Sequence, residues 1–348
     1  MKNIKFLSLL MIAATSLLFI QCTTDPIPGP AGQNGVDGID GTDGTDGISG
    51  TAECAACHNV STTEAVHSSY LYSQHAKGDY VGYAGGRASC AQCHSNEGYV
   101  DYAMTGSTTD YDNPTPISCT TCHGEHTTFD FENDGYDYAL RMPGAVTLIT
   151  DESVSINYEN GSNNCAFCHQ PRRTGPVDNG MGLYEQTSSH WGPHHGPQAT
   201  LLEGIQGMEI AGSTEYPAPT TAAHRTGSSC TECHMGTPSG NAIDGLHTMN
   251  PTTTACTSCH TNGIPEEVTG LKVSMAALLL ILEEEGILES EVVDGHLEVH
   301  PVVGTFPILT AEAAWNYLLL YEDKSDGLHN PKYAKALIEN SLEALNAD

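Results

Sequence analysis

CTTCHGEH, residues 119–126, sets two cysteines and two histidines within eight positions. Its first five residues are one copy of a pentapeptide that occurs six times. CAACH begins at Cys54, CAQCH at Cys90, CTTCH at Cys119, CAFCH at Cys165, CTECH at Cys230 and CTSCH at Cys256. Twelve of the 13 cysteines are used this way, always paired across two residues and always followed by histidine. Zinc sites and thioredoxin-like motifs also pair cysteines at this spacing, but neither requires a histidine directly after the second. Disulfides suit an exported chain, yet they would not explain six histidines in fixed register.

Covalent attachment of a c-type haem does explain them. Over one turn of backbone the two sulfurs reach the two vinyl groups as thioethers, and the next imidazole lies beneath the iron. The spacing therefore predicts six haems c. Their cysteines are Cys54 and Cys57, Cys90 and Cys93, Cys119 and Cys122, Cys165 and Cys168, Cys230 and Cys233, and Cys256 and Cys259. The proximal iron ligands are His58, His94, His123, His169, His234 and His260.

Six such cofactors leave about 50 residues each in the part of the chain that carries them. Trp and Phe are scarce, at two and six residues, so an ordinary core would be thin and the haems must supply much of the buried apolar surface. Stretches such as Thr105–Pro116 and Gly212–Thr221 are rich in Gly, Thr, Ser, Asn and Pro and read as loops. Short helical turns are expected to carry each motif. After His260 the pattern changes. Ser274–Glu285 reads as a helix ended by Gly286. Thr310 reads as the N-cap of a helix reaching about Tyr321. Asn330 caps another with Pro331 at its first position, and Tyr333, Ala334, Leu337, Ile338, Ser341 and Leu345 share one face. The expected fold is mainly α with extensive coil: a haem-packed multihaem cytochrome domain over residues 51–265, and a C-terminal helical layer over 266–348 packing on the haems.

The N-terminus reads as an export signal over residues 1–21, with a short basic start and an apolar run from Phe6 to Ile20. That run is short for a membrane-spanning helix. It ends at Gln21-Cys22-Thr23, which resembles a bacterial lipoprotein signal, with Cys22 as the lipidated residue; plain signal cleavage is the alternative. Residues 22–50 form a stalk that includes seven Gly-X-Y triplets from Gly29. They are compatible with a flexible acidic spacer or a trimerising collagen-like segment. The net charge of −31, with only 12 Lys and Arg, argues against nucleic-acid binding. It suits a solvated acidic surface or one that docks basic partners. The expected location is the periplasm or the outer membrane and cell surface, with a lipid anchor as the only membrane attachment. Partners would be redox proteins or an extracellular electron acceptor.

Eleven histidines lie outside the motifs, at 67, 75, 126, 190, 194, 195, 224, 247, 296, 300 and 329. They are more than enough to give every iron a second imidazole. Several segments resemble the multihaem cytochromes c related to ammonia-forming nitrite reductase and hydroxylamine oxidoreductase. These are SQHAKG around His75, CTTCHGEH, HWGPHHGPQ from His190, HRTGSSCTECHM from His224, and AAWNYLLLYEDKSDGLHNPKYAKALIENSL, which contains His329. The resemblance spans about residues 54–345. It implies closely packed haems with distal ligands from elsewhere in the chain: His75, His126, one of His190, His194 and His195, His224, His247 and His329. Met235 and Met249 are alternative ligands near motifs. The chain departs from the nitrite reductases in one respect, since no motif ends in lysine. The leading function is electron transfer through the six haems. The alternative is an oxidoreductase acting on a small nitrogen or sulfur compound at one five-coordinate haem, with the histidine cluster supplying a proton.

Overall fold

The computed structural model describes residues 52–347 except 136 and 242. The expected export signal, the stalk and Cys22 lie outside the described residues. What is described is largely helical with little sheet. Among the described residues no helix is long and apolar enough to cross a membrane.

The first helices are short and capped by small polar residues. Helix α1 (Ala52–Cys57) leads to α2 (Val60–Tyr70), whose cap Asn59 accepts a hydrogen bond from the Thr62 amide at 2.9 Å. Helix α3 (Gln74–Lys77) starts at buried Ser73, which accepts from the Ala76 amide, and a π-helical turn (Val81–Gly85) follows. Ser95 separates α4 (Ala88–His94) from α5 (Asn96–Thr105), and its hydroxyl caps α5 by accepting from the Gly98 amide at 3.2 Å. Glycine is needed at 98, because a Cβ there would strike the Ala91 backbone of α4. Next come α6 (Cys119–Cys122) and α7 (Phe131–Asp134).

A two-residue antiparallel pair, β1 (Val146–Thr147) and β2 (Ser155–Ile156), precedes α8 (Ser162–Ala166). Strand β3 (Leu183–Gln186) leads into the histidine-rich loop, and α9 (Gln198–Glu203) closes it. Helices α10 (Ala223–Gly227) and α11 (Cys230–His234), a 3-10 turn (Leu246–Thr248) and α12 (Thr253–Thr257) complete the motif-bearing region. All six pentapeptides thus lie on or at the end of a short helical turn.

The C-terminal part is built differently. Helix α13 (Leu271–Glu284) is followed by a hairpin of β4 (Leu288–Val293) and β5 (His296–Pro301), then by β6 (Gly304–Pro307), which pairs antiparallel with β3. Helices α14 (Ile308–Asp323) and α15 (Pro331–Leu345) finish the chain. Asn330 caps α15 by accepting from the Tyr333 amide, with Pro331 at the first position, as the sequence predicts. Two expectations need correction. Helix α13 begins at Leu271 rather than Ser274. Thr310 is buried inside α14, not its cap, because β6 runs straight into the helix through Pro307. The layer is also not purely helical, since it carries the β4–β5 hairpin and β6.

The apolar side chains are unevenly spread. Helices α13, α14 and α15 pack on one another around fully buried Leu278, Leu282, Trp315, Leu319 and Leu337. A second, smaller cluster surrounds Tyr99, Leu148, Ile156 and Phe167. In the first helices, by contrast, α2 buries no residue, and Val60, Leu71, Tyr80 and Tyr83 are exposed. The thin core expected from composition is a property of the motif-bearing region. The C-terminal helices have a core of their own.

Candidate haem sites

Six histidine pairs organise the motif-bearing region. Numbering the sites by their motifs, His58 faces His126 with ring centroids 6.0 Å apart, His94 faces His194 at 5.9 Å, and His123 faces His247 at 6.3 Å. His169 faces His75 at 6.2 Å, His234 faces His329 at 6.4 Å, and His260 faces His224 at 6.2 Å. Every pair joins one motif histidine to one histidine from another part of the chain. Every spacing falls within half an ångström of the others.

Local structure delivers the second histidine of each pair. His75 rides on the single turn α3, between the Ser73 cap and Gly78, and His224 on α10. His247 sits in the 3-10 turn, where its amide donates to the Ser69 hydroxyl of α2 at 3.3 Å. His329 lies in the α14–α15 connection, its amide donating to Ser325 Oγ. His126 follows His123 by three residues, so one short segment serves sites 1 and 3.

The histidine-rich loop places its three imidazoles differently. Trp191 is buried between Tyr184 and Trp315, at 5.4 and 5.7 Å, which anchors the loop to α14. His194 takes a left-handed backbone, φ 68°, and its ring turns towards His94. The His195 ring lies beside that of His194, 4.9 Å between centroids, and bonds Glu322 Oε2 through Nδ1 at 2.7 Å. His190 is exposed, and its amide donates to Ser188 Oγ. Only His194 of the three is paired with a motif histidine. Met235 closes α11, and Met249 contributes its backbone carbonyl to His234 rather than standing in a histidine's place.

The second ring nitrogen is where the sequence reading was silent. His123 Nδ1 bonds the Tyr138 carbonyl at 2.7 Å, His234 Nδ1 that of Met249 at 2.9 Å, and His224 Nδ1 that of Leu328 at 2.5 Å. His169 Nδ1 meets Gln198 Oε1 at 3.0 Å, and His329 Nδ1 meets Asp323 Oδ1 at 2.6 Å. All five partners are oxygen acceptors, so the proton sits on Nδ1 and Nε2 keeps its lone pair. Gln198 and Asp323 both lie within segments already singled out, but nothing in spacing alone marks them as acceptors. Burial adds to the effect. It holds His75 and His194 down to about 4 and lowers His94, His169, His234 and His247, so these rings are neutral near pH 7.

These residues fit the group that the motifs imply. Two imidazoles donating to one metal ion from opposite sides, each at about 2.0 Å, set their centroids about 6 Å apart. All six pairs show that separation. His194 Nε2 is buried and has no hydrogen-bond partner, the condition expected of a nitrogen aimed at iron. The competing cysteine chemistries fit less well. Among the described residues no disulfide joins two motif cysteines. Among the described residues, the one cluster of three metal-ligating side chains is Glu291, Glu298 and His300 on the β4–β5 hairpin, which contains no cysteine.

Known proteins point the same way. The chain is 26% identical over 340 aligned positions to the C-type polyheme cytochrome OmcB of Geobacter sulfurreducens, across 75% of this chain and 44% of that protein. It is 24% identical to OmcC of the same organism, across 74% and 42%. The chain is thus similar to polyhaem c-type cytochromes over about three quarters of its own length, and it spans less than half the length of either. No protein-family model matches it. Two solved structures share loose similarity. The outer cell wall cytochrome OcwA is 19% identical, with a TM-score of 0.47, across 80% of this chain and 49% of that one. An undecahaem cytochrome from the S-layer of Carboxydothermus ferrireducens is 16% identical, with a TM-score of 0.42, across 75% and 38%.

Proposed function

We propose that this chain is an electron-transfer cytochrome that holds six haems c, each attached through one cysteine pair and ligated by histidine on both faces. The observation that carries the reading is the pairing of all six motif histidines with a second imidazole at 5.9–6.4 Å. When bound, the group supplies a one-electron iron couple whose potential is set by its ligands, their hydrogen bonds and its burial. The protein supplies the rest. His58, His94, His123, His169, His234 and His260 hold one face, and His126, His194, His247, His75, His329 and His224 hold the other. The Nδ1 acceptors fix the tautomer and orientation of five of these rings. The exposed apolar side chains of α2 and its neighbours would cover porphyrin.

An oxidoreductase working at a five-coordinate haem would need a motif histidine with no facing imidazole. The complete set of pairs favours the carrier. The reading extends to the rest of the chain as the sequence predicts it. Residues 51–265 form the hexahaem domain, 266–348 pack over it, and the signal directs export, with lipidation at Cys22 and residues 22–50 as a stalk. Partners are redox proteins or an extracellular acceptor. The relation to the nitrite reductase and hydroxylamine oxidoreductase cytochromes belongs to the same proposal and rests on the quoted segments.

Intact mass of the exported protein should exceed the polypeptide mass by six haems. Resonance Raman spectra of the ferric form should contain only six-coordinate low-spin markers. Fewer than six haems would overturn the stoichiometry, and a five-coordinate high-spin marker would favour the oxidoreductase.

A further inference from the structure

We propose that CAFCH, residues 165–169, is the junction of the six sites, standing directly against the second, third and fifth motifs. The inference deepens the six-haem reading and rests on it. Each sulfur of this motif stands beside the sulfur of a different motif: Cys168 beside Cys93, and Cys165 beside Cys230. The residue just before it, Asn164, reaches the third motif. Its side chain lies beside Cys122, and its Oδ1 accepts from the Tyr99 hydroxyl at 2.8 Å and from the amide of Met142 at 3.2 Å, next to Arg141, whose amide donates to the Cys122 carbonyl at 2.9 Å.

The surrounding structure holds these approaches in place. Phe167, inside the motif, packs against Tyr99 and Tyr102 of α5, each at 5.1 Å between ring centroids, which fixes the second motif's side. On the fifth motif's side, Ser162 Oγ lies 2.8 Å from Ser229 Oγ and accepts from the Thr231 amide at 3.1 Å, while Asn160 Nδ2 donates to Ser229 Oγ at 3.0 Å. The motif's own middle residues, Ala166 and Phe167, are buried. The first, third and last motifs each leave one cysteine exposed, Cys57, Cys119 and Cys259.

The other sites extend outward from this centre. Site 1 joins site 3 through the His123–His126 segment, and site 6 joins site 5 where the Thr252 amide donates to the Cys233 carbonyl at 3.0 Å. Sites 2 and 3 also touch each other, where the Thr121 hydroxyl donates to Asn96 Oδ1 at 2.6 Å, so sites 2, 3, 4 and 5 form a central group from which site 1 extends through site 3 and site 6 through site 5. Coulomb coupling in a partly buried setting falls with distance. A change at site 4 is therefore felt at three neighbours, and a change at site 6 at one.

The experiment compares two substitutions in the full-length haem-loaded protein: His75→Met, which alters site 4, and His224→Met, which alters site 6. Haem content is measured first, and any count other than six counts against the proposed function rather than this layout. Midpoint potentials of individual haems are then followed by NMR through a redox titration. His75→Met should shift the midpoints of three haems besides its own, and His224→Met one besides its own. Equal numbers for the two variants, or fewer than three for His75→Met, would overturn the junction. Should either variant fail to fold, the unaltered protein decides. Nuclear Overhauser contacts from the site 4 haem to three others support the layout, and contacts to fewer than three sink it.

Discussion

Asp323 is buried, accepts from the Ser325 hydroxyl and bonds His329 Nδ1 at 2.6 Å. The Nδ1 partners of His123, His169, His224 and His234 are neutral oxygens. A carboxylate acceptor makes an imidazole a stronger donor to its metal and favours the oxidised iron. Asp323→Asn should raise the midpoint of the site 5 haem by about 60 mV, a tenfold change in a one-electron equilibrium, and leave site 1 unmoved in the same titration. Asp137 sets up a second test at this scale. The Thr127 and Ala139 amides donate to its carboxylate, which lies at about 2, below the ordinary carboxylate range. A depressed carboxylate stabilises the fold above its ordinary value, and that contribution is lost as pH falls from about 4 towards 2. The Asp137 carboxyl resonance should titrate near 2, and the loop that follows His126 should lose amide protection across the same range. At the residue scale the sequence marks every motif histidine, because each directly follows a cysteine pair of fixed spacing. It does not separate His194 from His190 and His195, since that choice depends on φ at His194 and on Trp191 resting against Trp315, far along the chain.

Helices α4 and α5 show how a short element is held without a large core. They meet where Gly98 lies on the Ala91 backbone, and Ser95 both ends the first and caps the second. Gly98→Ala should cost about 1–3 kcal/mol, the usual range for overpacking a tight contact, read as a lower denaturation midpoint in the haem-loaded protein. Other boundaries were legible in part. Asn330-Pro331 declares the start of α15, because capping and proline's missing N–H are local effects. The start of α14 is not local, since it is set by β6 pairing with β3, more than a hundred residues earlier. The β4–β5 hairpin did leave a signal: Asp294-Gly295, both at positive φ, is a favoured two-residue turn. Its strands are short and largely exposed, so their alternation is weak.

On the scale of the whole molecule, the chain divides its stability between two kinds of packing. The C-terminal helices bury their own leucines and tryptophan, and composition alone could not reveal this, because it averages over the whole length. The motif-bearing region instead gathers imidazoles and sulfurs, with the smaller cluster around Tyr99, Leu148, Ile156 and Phe167 and with Val60, Leu71, Tyr80 and Tyr83 among its exposed apolar side chains. The six imidazole pairs are not equivalent in orientation. His58–His126, His94–His194, His169–His75 and His260–His224 cross at 71°, 74°, 63° and 64°, whereas His123–His247 and His234–His329 cross at 36° and 31°. Near-parallel ligand planes lift the degeneracy of the two iron d orbitals that overlap the ring π systems, and near-perpendicular planes leave them almost degenerate. The twist of each pair thus becomes a magnetic label. Low-temperature electron paramagnetic resonance of the ferric protein should resolve four strongly anisotropic ferric centres, with one very large g value each, and two ordinary rhombic ones.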